Sequence, residues 1–99
     1  MIRYEVTLEC SEATAPALER WMRNSHIPEI LETGCFTAIH FDRSDGRFRT
    51  VYHAAAAAHL DRYFAEHAPA LRQSFQQQFP AGVAVSRETW VELQGWTRG

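Results

Sequence analysis

The chain begins with the feature that most restricts its fold. Ile2, Tyr4, Val6 and Leu8 alternate with Arg3, Glu5, Thr7 and Glu9. Period two over eight residues means a strand with one apolar and one polar face. Such a strand needs a layer packed on its apolar side. Ser11 to Thr14 breaks the pattern. Thr14 is placed to cap a helix, with Pro16 in the first turn, where a missing N–H costs little.

Leu18, Trp21 and Met22 mark one face of that helix at three- and four-residue spacing. Pro28 cannot bond back to the carbonyl of Asn24, so a kink or break is predicted near Ile27. Ile30 and Leu31 resume the apolar pattern, and Gly34 ends it. Cys35 to Phe41 reads as the second strand. Asp45-Gly46 signals a hairpin into a third strand, Arg47 to His53. The alanines from Ala54 to Ala58 open a second helix. Leu60, Phe64, His67 and Leu71 follow at helical spacing, and Pro69 divides that segment in two. The second piece carries Leu71, Phe75 and Phe79. After the turn at Pro80-Ala81-Gly82, Val83, Val85 and Val91 belong to a last strand.

The order is β-α-β-β-α-β, a split βαβ arrangement. Right-handed crossovers put both helices on one face, with the first two strands parallel and the third between them. The predicted fold class is therefore α+β: a ferredoxin-like sandwich with a four-stranded antiparallel sheet, one domain over residues 1–99. Cys10 and Cys35 then lie about a strand length apart, ~20 Å. A disulfide needs Cα atoms within ~7 Å, so both are predicted to be free thiols, as suits a reducing cytoplasm.

Two helices cover one face of such a sheet. The other face carries Arg3, Glu5, Thr7 and Glu9 on the first strand, but neither face of the second or third is strongly polar. Self-association through that open face, with arginines meeting glutamates, is the expected solution. The 10 basic residues, all arginine, stand against 12 acidic ones, a net charge of -2. That balance argues against nucleic acid, whose phosphates demand an excess of positive charge. Arg47-Phe48-Arg49 with Tyr52 lacks the aromatic consensus of an RNA-recognition strand. Neither a signal peptide nor a membrane-spanning run is apparent, so a cytoplasmic protein is expected.

Several segments resemble a known family. They are Tyr4-Glu5-Val6-Thr7; Trp21-Met22 followed by His26-Ile27-Pro28-Glu29-Ile30-Leu31-Glu32-Thr33-Gly34-Cys35-Phe36-Thr37; Leu60-Asp61-Arg62-Tyr63; Glu66-His67-Ala68-Pro69-Ala70-Leu71-Arg72; and Phe79. Together they resemble a small bacterial family classed as a domain of unknown function, of the ferredoxin-like, dimeric α/β-barrel type. The resemblance spans nearly the whole chain. It implies fold, length and dimerisation, and supplies no reaction and no catalytic residue. The wider superfamily includes monooxygenases, isomerases, haem-degrading enzymes and ligand sensors, so fold alone transfers no chemistry.

Two histidine–proline junctions carry the sharpest functional signal. His26 precedes the Pro28 interruption, and His67 precedes Pro69. Imidazole suits acid–base work near neutral pH. The alternative is structural: the His26 ring caps carbonyls freed by the break, and a core-facing His67, buried and hydrogen-bonded, fixes its helix junction. If the two helices share a face, both histidines could converge on one cavity between helices and sheet. His26, His67 and Arg72 would then bind a small organic ligand, walled by Trp21, Tyr63 and Phe64. Cys35 follows a helix end, whose dipole is wrong for activating a thiol, and a cationic neighbour would be needed instead. A metal site is not expected: His59 and His67 are two turns apart, ~12 Å along a helix, and His40 and His53 lack paired spacing. No cofactor is expected, because no glycine-rich phosphate loop or serine elbow is present.

Three functions remain open: a homodimeric module binding a small organic ligand, a structural or interaction module without such a site, and a cofactor-free enzyme with a histidine general base. A cavity of roughly 300 Å³ or more at the histidines favours the first or third, and a filled interior the second.

Overall fold

In the computed structural model, which describes residues 1–99, the opening alternation becomes strand β1, Ile2–Cys10. Three more strands follow: β2 at Ala38–Ser44, β3 at Arg47–Ala54 and β4 at Val83–Val91. They form one four-stranded sheet of order β2-β3-β1-β4. All three neighbouring pairs are antiparallel. β1 and β2 are thus parallel with β3 between them, as the chain order predicts. No helix is long and apolar enough to cross a membrane.

Two helical arms connect the strands. The first is α1 (Ala15–Trp21), a π-helical turn at Met22–His26, and α2 (Ile27–Glu32). The second is α3 (Ala57–Arg62), a π-helical turn at Tyr63–His67, and α4 (Ala68–Gln78). Neither arm breaks at its proline. Pro28 has no N–H for the Asn24 carbonyl, and its ring would press on that oxygen. The chain answers by widening one turn: the Ile27 N–H reaches back five residues to the Met22 carbonyl. Ala68 does the same to Tyr63 ahead of Pro69. The predicted kink or division is in each case a one-residue expansion within a continuing helix.

The ends of the first arm depart from expectation in detail. Thr14 makes no side-chain cap. Ser11 does that work instead: its carbonyl accepts from the Thr14 and Ala15 N–H groups, and its hydroxyl accepts from Thr14 N–H at 3.3 Å. At the far end Gly34 sits at φ +74°, the left-handed conformation that ends a helix without β-carbon strain. Residues 35–37 do not belong to β2. Cys35 and Phe36 are nevertheless buried, packed in the core as a connection. Ala54 ends β3, and the helix that the alanines favour starts at Ala57.

Both arms pack on one face of the sheet. Leu8 and Phe48 meet Leu18 and Met22 of the first arm. Tyr4, Tyr52 and Ala54 meet Ile30 of the first arm and Leu60, Tyr63 and Leu71 of the second. Register fixes the other face. Arg3, Glu5, Thr7 and Glu9 lie beside Arg47, Arg49, Val51 and His53, and those beside Ser44, Asp42, His40 and Ala38. The large apolar groups of β2 and β3 (Ile39, Phe41, Phe48, Tyr52) therefore turn toward the helices. The open face is more polar than its sequence suggests, with Arg49 paired to Glu5 at 3.7 Å and Asp42 at 3.5 Å. This is an α+β, ferredoxin-like sandwich. Cys10 and Cys35 are both free.

Candidate functional site

A cavity of about 120 Å³ lies between the sheet and the two arms. Its floor is Tyr4, Val6 and Leu8 of β1, Tyr52 of β3, and Val85 and Arg87 of β4. Its walls are Met22, His26 and Ile30 from the first arm and Tyr63, Leu71, Arg72, Phe75 and Gln76 from the second. Strand periodicity explains the floor: Val83, Val85 and Arg87 pair with Cys10, Leu8 and Val6, all in the phase that faces the helices. Helical periodicity explains the first wall. Met22, His26 and Ile30 recur at four residues across the π turn, on one face.

His26 is the most unusual group in this wall. It is 8% exposed. Its ring stacks on Trp21, centroids 4.7 Å apart and planes 21° apart, and tilts against Phe75 at 5.8 Å. Trp21 is in turn held edge-on by Phe75 and Phe79, each at 5.7 Å. Apolar burial without an acidic partner lowers the imidazole pKa to about 4, so the ring is neutral at pH 7. Its Nδ1 is sealed from solvent and has no hydrogen-bond partner. The capping role open to it in sequence is not used: His26 makes no side-chain cap hydrogen bond. Thr50 Oγ1, buried in the sheet, is likewise unpartnered, but Thr50 does not line the cavity.

The remaining candidates divide. Tyr63 and Arg72 line the cavity with His26. Arg72 donates to Tyr4 Oη at 3.3 Å and lies over the Phe64 ring, 5.8 Å from its centroid. Phe64 meets Tyr4 edge-on at 5.0 Å. Trp21 and Phe64 are therefore buttresses of lining residues. His67 is not on the cavity. Its backbone leaves the helical range, φ -121° and ψ -40°, where His26 keeps φ -69° and ψ -52°. The ring turns to Glu66, 3.9 Å away, and stacks loosely on Tyr63 at 6.5 Å. The two histidines do not converge.

Burial raises the Tyr52 and Tyr63 pKa values, so both hydroxyls keep their protons at neutral pH. Arg87, Gln76, Tyr4 and Tyr52 were not singled out as site residues from sequence. The signal for Arg87 was an arginine in the inward phase of a strand, two residues after Val85. Cys35 has the cationic neighbour that its position after a helix end did not promise. Arg62 donates to its sulfur through Nε at 3.4 Å and through a terminal nitrogen at 3.3 Å. At 2% exposure, that thiol is closed to a substrate.

Comparison with known proteins agrees with the architecture. The model of a family described as a domain of unknown function (DUF4286) matches residues 1–93. No curated protein matches the chain. Among solved structures, a putative antibiotic biosynthesis monooxygenase from Deinococcus radiodurans superposes with a TM-score of 0.73 at 11% identity, over 100% of this chain and 99% of that one. The heme-degrader MhuD from Mycobacterium tuberculosis, with two hemes bound in its active site, gives 0.68 at 13% identity, over 98% and 100%. A dimeric ferredoxin-like protein from an uncultured marine organism gives 0.55 at 8% identity, over 99% and 100%. At these identities the likeness is one of fold.

Proposed function

The chain belongs to the DUF4286 family, a domain of unknown function, and on that footing we propose that it is a cytoplasmic homodimeric module that binds a small organic ligand between its helices and sheet. One observation carries the ligand reading. A histidine nitrogen is sealed and unpartnered on the wall of a cavity with 10 hydrophobic residues among its 14 lining residues. A buried polar atom left unsatisfied costs roughly 1–3 kcal/mol. A hydrophobic residue would fill that position more cheaply if packing were its only task.

The volume sets the scale of the ligand. About 120 Å³ falls short of the roughly 300 Å³ set above for an ordinary ligand site, and is near that of cavities that admit a single benzene ring. The haem bound by the mycobacterial neighbour does not fit such a space. Binding is favoured over catalysis by the state of His26. A general base works best with a pKa near the operating pH, and one of about 4 makes a weak base. No carboxylate orients the ring.

Dimerisation rests on the open face. Arg47 and Glu9 on it have no ion-pair partner within the chain, so a two-fold copy can set opposite charges against each other. Trp90 beside it, and Leu93 and Trp96 in the tail, expose apolar surface that a copy would cover. The two free thiols accord with a reducing compartment.

The test is a thermal-shift screen of single-ring metabolites on the intact protein and on its His26→Ala variant, with light scattering for the dimer. A ligand that raises the midpoint of the wild type and not of the variant is expected. A screen in which no compound distinguishes the two, or a monomer at micromolar concentration, contradicts the corresponding half of the proposal.

A further inference from the structure

Charge and hydrogen-bonding capacity around the cavity are one-sided. Its 14 lining residues include Arg72 and Arg87 and no aspartate or glutamate. Neither arginine pairs with a carboxylate within the chain. Arg72 is oriented by Tyr4 Oη and by the Phe64 face. Arg87 projects from the exposed half of β4, on the helix side. Arg87 thus enters from the sheet floor and Arg72 from the second arm, on one cavity. Deeper in, the His26 ring lines the wall, and Tyr52 and Tyr63 keep protonated hydroxyls. The rest of the lining is apolar or aromatic.

We infer that the cavity takes a small single-ring organic carboxylate, its ring against Met22, Ile30, Leu71 and Phe75 and its anionic group between Arg72 and Arg87. This deepens the ligand-binding reading above and rests on it. A carboxylate gains two guanidinium partners there that an uncharged ligand cannot use as fully. An acidic protein surface would not reach the buried imidazole. A guanidinium fork matches a carboxylate in two hydrogen bonds at once, and a partly dry cavity strengthens both. His26 serves the same ligand from within. Its neutral ring lies on the same wall, and an anion close by would raise its pKa from the present value of about 4.

The experiment is a titration of the full chain with benzoate, with its uncharged counterpart benzamide, and with inorganic phosphate. It is followed by the imidazole resonances of His26 and by calorimetry. Benzoate is expected to shift His26, raise its pKa and bind at least about tenfold more tightly than benzamide, with affinity falling as salt rises. Arg87→Gln, an exposed residue without internal hydrogen bonds, should lower benzoate affinity about tenfold and leave benzamide unchanged. If benzamide binds as well as benzoate, or Arg87→Gln leaves benzoate unaffected, the carboxylate inference is overturned while the cavity remains a ligand site. If phosphate alone matches benzoate, the site recognises an anion without a ring, and the inference fails in that respect. If none of the three moves His26 at millimolar concentration, the ligand-binding reading falls with it.

Discussion

The two helical arms are built on one plan and end in different chemistry. Each has a histidine two residues before a proline, a π turn ending at that histidine, and a buried residue four positions to either side. Met22, His26 and Ile30 in the first arm correspond to Tyr63, His67 and Leu71 in the second. All three of the first set line the cavity, whereas only Tyr63 and Leu71 of the second set do. His26 stays in helical backbone and is sealed under Trp21. His67 swings out of helical backbone, and its side chain is 34% exposed. A proline two residues ahead therefore fixes the widened turn without fixing what the histidine faces. The aromatic residues around each ring decide that, and only His26 has such a cage, with Trp21 from its own arm and Phe75 and Phe79 from the other.

The largest expected difference between the arms is in acid. His26 titrates at 6.5 in the unfolded chain and near 4 when folded, so the unfolded state takes up the proton first as pH falls. Its contribution is complete above pH 6.5 and is lost between there and 4, worth about 3 kcal/mol. Urea unfolding at pH 7.5 and at 4.5, on the wild type and on His26→Gln, isolates this part, since carboxylates titrate equally in both. A smaller slope for the variant is expected, and equal slopes would break the contrast.

Removing each ring comes next. His26→Ala forfeits the stacking on Trp21 and Phe75 and should cost about 2 kcal/mol. His67→Ala, a half-exposed position, should stay within about 0.5 kcal/mol. Equal costs in denaturant melts would mean that the two junctions are equivalent after all. The arm ends give the smallest contrast. Gly34 closes the first arm at φ +74°, and a β-carbon there would meet only Arg62 at an ordinary 3.8 Å. Gly34→Ala should therefore cost about 1 kcal/mol, from backbone strain alone. The second arm ends at Phe79 with φ -129° and no glycine. There, Gln76 donates to the Pro80 carbonyl at 3.2 Å, an exposed bond whose loss in Gln76→Ala should be under about 0.5 kcal/mol.

Much of this fold was legible in the chain. The alternation in β1, the Asp45-Gly46 turn, the helical spacing and the glycine stop are local signals, and chain order with crossover handedness did the rest. Local signals failed where burial does not follow secondary structure. Cys35 and Phe36 continue an apolar pattern and read as strand, yet a buried connection satisfies them equally. The prolines read as breaks because a missing N–H is visible in sequence, whereas a five-residue return bond is not. The apolar character of both faces of β2 and β3 was ambiguous until pairing fixed which phase met the helices. Of the site, His26 could be picked out because it stands just before Pro28, and Tyr63 and Arg72 because they flank the second histidine–proline junction. Arg87 and Tyr52 needed the sheet register, and the divergence of His67 needed its backbone angles.

The central claim is that the His26 nitrogens serve no structural partner and that the ring is kept for a ligand. His26→Phe tests this most directly. Phenylalanine preserves the stack under Trp21, removes the unpartnered Nδ1, and has the adjacent cavity for its extra volume. Urea unfolding at pH 7 should give a stability equal to or above the wild type, while binding of a single-ring carboxylate is lost. A stability loss of about 2 kcal/mol or more with an unchanged fold would mean that the imidazole makes a structural contact, and the functional reading of His26 would be contradicted.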